Sequence, residues 1–350
     1  MNKRVLALYT LISMTLSAFS QAGTGVYQFL DLPVSSRLAA LGSTNVSLHD
    51  NDINFAFANP ALLTSETNNM IGLSMANYLA DIKFGTAVYG KTIGNKNYFA
   101  FGIQYVDYGT FKEATDLNVL TGETFSAKDL AVNIMYARPI NDKISIGGTL
   151  KPIYSAYETY TSYGLAMDAG VSYNDSANFF SAGLVLKNIG TQLKGYYSDE
   201  GGQHFEPLPF DIELGISKKL NHAPLRFSMT LLNLQHWDLS YESTNQATSS
   251  LTTTTTASTT KDIGFADMAL RHVIFSAEFV PSKNFYLAMA YNHRRQKELS
   301  MTGFKSMSGF SFGGGLKLYK FHVGFGMTPF QVGNYAYQFS ISTSLNEFRL

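Results

Sequence analysis

Tyr335-Ala336-Tyr337-Gln338-Phe339-Ser340-Ile341-Ser342-Thr343-Ser344-Leu345 is the stretch whose reading decides the fold. Tyr335, Tyr337, Phe339, Ile341, Thr343 and Leu345 share one parity, and Ala336, Gln338, Ser340, Ser342 and Ser344 share the other. Successive side chains of a strand point to opposite faces, so this alternation predicts a strand with one mostly apolar and one polar face. A soluble sheet would need a second layer to cover the apolar face. The chain offers little helix for such a layer, and similar alternation recurs along it. The apolar face is therefore expected to meet lipid, in an all-β transmembrane antiparallel barrel that this strand closes.

Composition fits that class. Charged residues make up 15% and aromatic residues 14% of the 350 positions, against roughly 25% charged in soluble domains. Mean hydropathy is −0.03, which is uninformative for a barrel because outward apolar and inward polar residues cancel. A secreted β-sandwich is the competing class. The net charge of +0 argues against nucleic acid, which calls for a basic stripe. The absence of cysteine excludes a disulfide framework and protein thiol chemistry.

Three segments follow from the patterning. Residues 1–22 read as an export signal: Asn2-Lys3-Arg4 is basic, Val5–Leu16 is largely apolar but short, and Ser20-Gln21-Ala22 supplies small residues for cleavage before Gly23. Residues 23–68 read as a plug inside the barrel. There Ser35 is placed to cap a short helix that ends at Gly42, and Asn59-Pro60-Ala61-Leu62 reads as a turn entering a helix. Residues 69–350 form the barrel, with about 14 strands by alternation. Their expected spans are 69–78, 82–92, 97–109, 128–138, 143–157, 161–174, 178–189, 209–219, 225–235, 272–280, 284–294, 307–318, 321–328 and 334–346. No stretch supplies the ~18 apolar residues of a spanning helix. The connections after even-numbered strands are all short, and every long one (110–127, 190–208, 236–271 and 295–306) follows an odd-numbered strand. One end of the barrel thus carries short turns and the other carries the long loops, which is the asymmetry of an outer-membrane barrel with its loops at the cell surface. Within the longest loop, Ser243–Thr260 is nearly all Ser, Thr, Asn, Gln and Ala and cannot build a core. It reads either as a partner-contact loop or as a tolerated insertion. A short helix is expected over 262–270.

Several motif matches are set aside on context. Gly85–Thr92 satisfies the phosphate-loop expression, but it falls inside a strand instead of joining a strand to a helix. Gly309-Phe310-Ser311-Phe312-Gly313 satisfies the nucleophile-elbow expression, yet the alternation runs straight through it and makes Ser311 a small lumen-facing residue. Asp50-Asn51-Asp52-Ile53-Asn54 opens like a calcium loop but has Phe55 and Ala61 where Gly and Glu are required, so it reads as a turn in the plug. The seven His residues are scattered without ligand spacing. No catalytic, cofactor-binding or metal-binding residue is singled out, and no enzyme activity is expected.

A set of segments in fixed order carries a resemblance. They are Tyr27–Pro33, Ser36–Gly42, Asn59–Leu63, Tyr108–Phe111, Lys187–Gly190, Glu206–Phe210, Arg271-His272, Glu278-Phe279, Asn292–Arg295 and the Gly-rich run Gly309–Gly315. From about Val26 to the C-terminus the chain resembles the PorQ family of the Bacteroidetes type IX secretion system. Asn59-Pro60-Ala61 is similar to a motif shared more widely with FadL-like barrels. The resemblance implies a FadL-like barrel of 14 strands and a non-enzymatic role in the surface attachment complex. There the barrel would hold a PorZ-like surface protein, beside a sortase-like protease and a PorV-like barrel that handle cargo destined for lipopolysaccharide. Outer-membrane lipid would surround it. The tract Ser243–Thr260 departs from the family pattern. A FadL-like transporter of hydrophobic small molecules is the alternative function; it requires a lateral opening or a continuous apolar path past the plug.

Overall fold

The structure is a computed structural model that describes residues 25–78, 82–114, 119–197, 203–240, 263–299, 307–331 and 334–348. The signal segment and Ser243–Thr260 lie outside the described residues.

Strict alternation produces a closed antiparallel barrel of 14 strands. In chain order these are β1 (Met70–Asn77), β2 (Lys83–Ile93), β3 (Asn97–Ala114), β4 (Leu120–Pro139), β5 (Ile144–Tyr157), β6 (Tyr160–Asp175), β7 (Phe180–Lys194), β10 (Asp211–Lys219), β11 (Leu225–Leu231), β12 (Val273–Ser282), β13 (Phe285–Asn292), β14 (Phe310–Leu318), β15 (Phe321–Gln331) and β16 (Asn334–Ser344). Two short strands, β8 (Tyr196–Tyr197) and β9 (Gln203–His204), pair in the loop between β7 and β10. Each barrel strand pairs with its sequence neighbours. Closure comes from β1 on β16, in register from Met70 opposite Ser344 to Asn77 opposite Tyr337.

The two faces sort as the sequence predicts. Phe339 is 59% exposed and its neighbour Gln338 is 2% exposed. Phe101, Ile103, Leu287, Met289 and Phe325 point outward, while Ala100, Gly102, Gln104, Ala288 and Ala290 are buried. The outward residues form the apolar band that a hydrocarbon layer requires. At the long-loop end this band stops on β2–β4 at a charged row, where Lys83 sits opposite Asp107 and Asp107 opposite Lys128. Toward the short-turn end, Phe99 and Tyr136 pack at 5.0 Å as part of an aromatic border.

β3 and β4 are longer than the sequence implies. Residues 110–114 and 120–126, expected to be loop, continue the hairpin, with Phe111 opposite Phe125 and Lys112 opposite Thr124. The extension has water on both faces, so it carries no apolar alternation to read. Irregularities at Gly109 (φ +81°) and Gly122 (φ +88°) break the pattern further. β11 is shorter than expected. It ends at Leu231, and Asn233 then adopts φ 53° in a turn.

The lumen is filled by residues 26–63. Ser35 Oγ accepts from Leu38 N at 3.3 Å and starts helix α1 (Ser36–Ala40), which Gly42 (φ +96°) terminates. Asn59 caps a 3₁₀ turn over Pro60–Leu62 by accepting from Ala61 N at 3.0 Å. Leu38, Leu41, Val46, Leu48, Ile53, Phe55 and Leu63 form a core inside the barrel. The wall accommodates this core because its inward positions are small. A Cβ on Gly183 would lie 1.9 Å from the carbonyl oxygen of Val46, and one on Gly326 would lie 2.4 Å from that of Ser36. These are backbone atoms of the plug, which cannot step aside as a flexible side chain could.

Gly183→Val is expected to displace the plug and lower stability by about 1–3 kcal/mol, the usual penalty of overpacking. Thermal unfolding in detergent checks this.

Candidate functional site

The candidate site is the lumen, where the plug meets the wall, together with the chambers above and below it. Three groups of buried charges join the two parts. Arg37 on α1 donates from Nε to Glu278 Oε1 on β12 at 3.0 Å and from Nη2 to Asp50 Oδ2 at 2.8 Å. Arg226 on β11 reaches Glu278 Oε2 at 2.6 Å and Asp50 Oδ2 at 3.2 Å. The Arg37 guanidinium also lies over Tyr286, 4.5 Å from the ring centre. In the second group, Lys151 on β5 pairs with Asp168 on β6 at 2.7 Å and donates to Asn188 Oδ1 at 2.9 Å; Asn188 Nδ2 reaches Asp31 of the plug at 3.3 Å. In the third, Lys187 on β7 pairs with Glu213 on β10 at 3.1 Å, and Glu213 Oε2 accepts from Thr44 of the plug at 3.0 Å. Charges this deep need a partner, because an isolated ion in a dry interior is strongly disfavoured.

Neutral bonds complete the joint. Tyr27 and Ser162 on β6 share a hydrogen bond of 2.5 Å. Gln338 Nε2 on β16 donates to Pro33 O at 2.8 Å, and Thr86 Oγ1 on β2 donates to Val34 O at 2.7 Å. Asn59 Nδ2 donates to Val46 O at 2.9 Å and to Val171 O on β6 at 3.2 Å. The Asn-Pro-Ala turn is thus a brace between two parts of the plug and the wall.

The plug separates two chambers. The one at the long-loop end has a volume of about 430 Å³, with Leu30, Leu32, Leu38, Phe57, Phe210 and Leu232 among its apolar lining and Asp31, Lys187 and Glu213 among its polar lining. The one at the short-turn end, about 640 Å³, is bordered by Arg37, Asp50, Lys219, Lys283, Lys317 and His322. The two share no lining residue.

A small cap stands over the long-loop end. Helices α2 (Phe265–Arg271) and α3 (His293–Glu298) are tied through Asp267, which contacts Arg271 at 3.1 Å, His293 at 2.8 Å and Lys297 at 3.3 Å. Partial burial pushes the Asp267 carboxyl up, but the hydrogen bonds from His293, Arg271 and Lys297 outweigh it and hold its pKa at about 2. Trp237 stacks between Phe265 and His272, both at 5.2 Å.

The motifs set aside on sequence sit as expected. Gly85–Thr92 lies within β2. Ser311 is buried in the lumen and accepts from Arg295 Nη2 at 2.6 Å. Asp50 and Asp52 serve the plug, the first as the partner of Arg37 and the second as the cap of the Ile53–Phe57 3₁₀ turn. Among the described residues no cluster of acidic, His or Cys side chains could hold a metal ion. The sequence reading singled out no site residue and so missed the charge network. One signal was available: Arg37, Lys151, Asp168, Lys187, Glu213 and Glu278 are charges within segments of otherwise small and apolar residues.

The fold has solved counterparts. CymD, a monoaromatic hydrocarbon channel, superposes with a TM-score of 0.53 at 14% identity, over 89% of this chain and 97% of its own. The toluene transporter TodX of Pseudomonas putida superposes with a TM-score of 0.51 at 11% identity, over 90% and 98%. No family model matches the chain, and no curated protein matches it. The chain therefore shares its barrel architecture with these two proteins, one a channel and the other a transporter in their own right. At these identities the likeness concerns fold.

Arg37→Ala is expected to destabilise the barrel by less than the ~3–5 kcal/mol of an uncompensated buried charge, because Arg226 still pairs with Glu278 and Asp50. Denaturant unfolding of the detergent-solubilised barrel measures it, and Glu278→Gln combined with Arg37→Ala is expected to cost less than the sum of the two. At the cap, the folded pKa of Asp267 lies below its unfolded value near 3.9. Its stabilisation is therefore present above about pH 4 and lost as pH falls through about 2. Fluorescence of Trp237, the one tryptophan of the chain, is expected to change over that window in the wild type and to be flat there in Asp267→Asn.

Proposed function

We propose that this chain is an outer-membrane barrel acting as a structural anchor: it holds a surface protein at its long-loop end and moves no substrate through its lumen. The observation that carries this reading is the joint between plug and wall. Hydrogen bonds and ion pairs of charged side chains tie the plug to β7, β10, β11 and β12, and the chambers on either side of it share no lining residue. The layer between them holds Arg37, Asp50 and Glu278, which is the opposite of an apolar path. The resemblance to PorQ supplies the class of partner, a PorZ-like surface protein within an attachment complex that includes a sortase-like protease and a PorV-like barrel. The long-loop end would face the cell exterior, with lipid around the apolar band.

The comparisons favour a second reading, a FadL-like channel for small hydrophobic molecules. Its structural support is the long-loop chamber, which is concave, of ligand size and walled in part by Leu30, Leu32, Phe57 and Phe210. Fold by itself does not assign the chemistry of a site, and the polar layer below that chamber weighs against passage.

Affinity purification of the tagged full-length protein from gently solubilised outer membrane, with mass spectrometry of both proteins and small molecules, separates the two. The anchor reading expects a stoichiometric surface protein with the sortase-like and PorV-like components. A bound apolar molecule without those proteins would replace it with the channel reading.

A further inference from the structure

The long-loop chamber, about 430 Å³, is of small-ligand size and reaches the surface loops, where Gln235 and Glu298 of its lining are exposed. Its apolar wall includes Leu30, Leu32, Phe57 and Phe210. Four carboxylates also border it, Asp31, Asp211, Glu213 and Glu298, against the basic groups Lys151, Lys187, Arg294 and Arg295.

The basic groups are already engaged. Lys151 pairs with Asp168 at 2.7 Å, Lys187 with Glu213 at 3.1 Å and Arg294 with Glu298 at 2.7 Å. Arg295 donates to the carbonyl oxygens of Ser308, Gly309 and Phe310 and to Ser311 Oγ. Asp31 and Asp211 are left over: among the described residues neither has a salt-bridge partner. Each accepts one hydrogen bond, Asp31 Oδ1 from Asn188 Nδ2 at 3.3 Å and Asp211 Oδ1 from Asn233 N at 2.6 Å. Their second oxygens accept none among the described residues.

Both carboxylates belong to one corner of the chamber. Asn188, which donates to Asp31, also donates to Pro209 O at 3.0 Å, two residues before Asp211. Asp31 is exposed while Leu30 beside it is 3% exposed, so the plug turns that carboxylate to the open space. A third unmet group lies on another wall. Gln104 on β3 borders the same chamber and is 2% exposed. Its amide makes a single bond, with Asn133 at 3.1 Å, and its other polar atom has no partner among the described residues. Carboxylates inside a protein envelope call for a cation or a proton. The free oxygens of an ionised pair are acceptors only, which an ammonium group satisfies and a hydrocarbon or a carboxylate does not.

We propose that the long-loop chamber binds a small organic ammonium ion, its nitrogen held by Asp31 and Asp211 and its apolar body laid against Leu30, Leu32, Phe57 and Phe210. Gln104 supplies a further polar contact. The ligand enters and leaves at the long-loop end and needs no path through the plug, so this inference goes beyond the anchor reading and does not rest on it.

The test is isothermal titration calorimetry on the full-length barrel in nonionic detergent, with matched detergent blanks and probes that share a phenyl body: phenethylamine, 3-phenylpropionate and ethylbenzene. Phenethylamine is expected to bind at least about tenfold more tightly than the other two, which is the scale of a hydrogen bond to a charged group. Asp31→Asn and Asp211→Asn are each expected to weaken phenethylamine binding by about tenfold or more. Asp31→Asn is expected to leave the thermal unfolding midpoint unchanged or raised, because it removes a charge that lacks an ionic partner. Binding lost together with a lowered midpoint in both variants is the mark of a structural role and overturns the proposal. Equal binding of ethylbenzene overturns it in favour of the neutral ligand of the channel reading. Preference for 3-phenylpropionate, binding of none of the probes, or phenethylamine binding unchanged in both variants overturns it as well. None of these outcomes touches the anchor reading, which is decided separately by recovery of a surface protein.

Discussion

Everything in this molecule depends on a plug whose backbone touches the barrel wall. A wall of ordinary side chains would hold a lumenal segment at side-chain distance and leave it loose. Here Gly183 and Gly326 let Val46 and Ser36 approach to backbone distance, and that approach brings Thr44, Arg37 and Asp50 within reach of wall carboxylates and guanidinium groups. The close approach and the ion pairs need each other. Without the small wall residues the charges could not meet, and without the charges the polar lumen would have little reason to prefer the plug over water.

That dependence explains why sequence segments far apart carry one resemblance. Arg37 lies in the segment Ser36–Gly42, Lys187 and Asn188 in Lys187–Gly190, and Glu278 in Glu278-Phe279. In the folded chain these are the two sides of one joint. Arg295, in the segment Asn292–Arg295, donates to the carbonyl oxygens of Ser308 and Phe310 at 2.6 and 3.0 Å. It thereby ties α3 to the start of the Gly-rich strand β14. Ser36–Gly42, Lys187–Gly190 and Glu278-Phe279 thus mark where chain meets chain inside the barrel.

Much of the fold was legible because the lipid imposes a rule on every spanning strand. Outward residues must be apolar, so Phe339 against Gln338 or Phe101 against Gly102 declares the face without any tertiary knowledge. Where the rule lapses, so does legibility. The β3–β4 ribbon above Asp107 has no lipid on either face, and its strands therefore read as loop. The pairing inside the lumen was illegible for a different reason: Arg37 and Glu278 are 241 positions apart, and only barrel closure sets which wall residue faces which turn of the plug. The helix in the plug was readable from local chemistry alone, through the Ser35 cap and the Gly42 stop.

The lumen and the loop end therefore divide the labour by stiffness. The joint pins the plug to the wall through hydrogen bonds and ion pairs on several strands. The cap and the ribbon lie beyond the apolar band and are held by fewer contacts. The cap relies on Asp267 and the Trp237 stack, while the ribbon is gripped at its root by Asp129 and, among the described residues, has no third strand along its shaft. The plug is thus held on several sides by the wall, and the ribbon projects beyond the apolar band with its strands paired to each other.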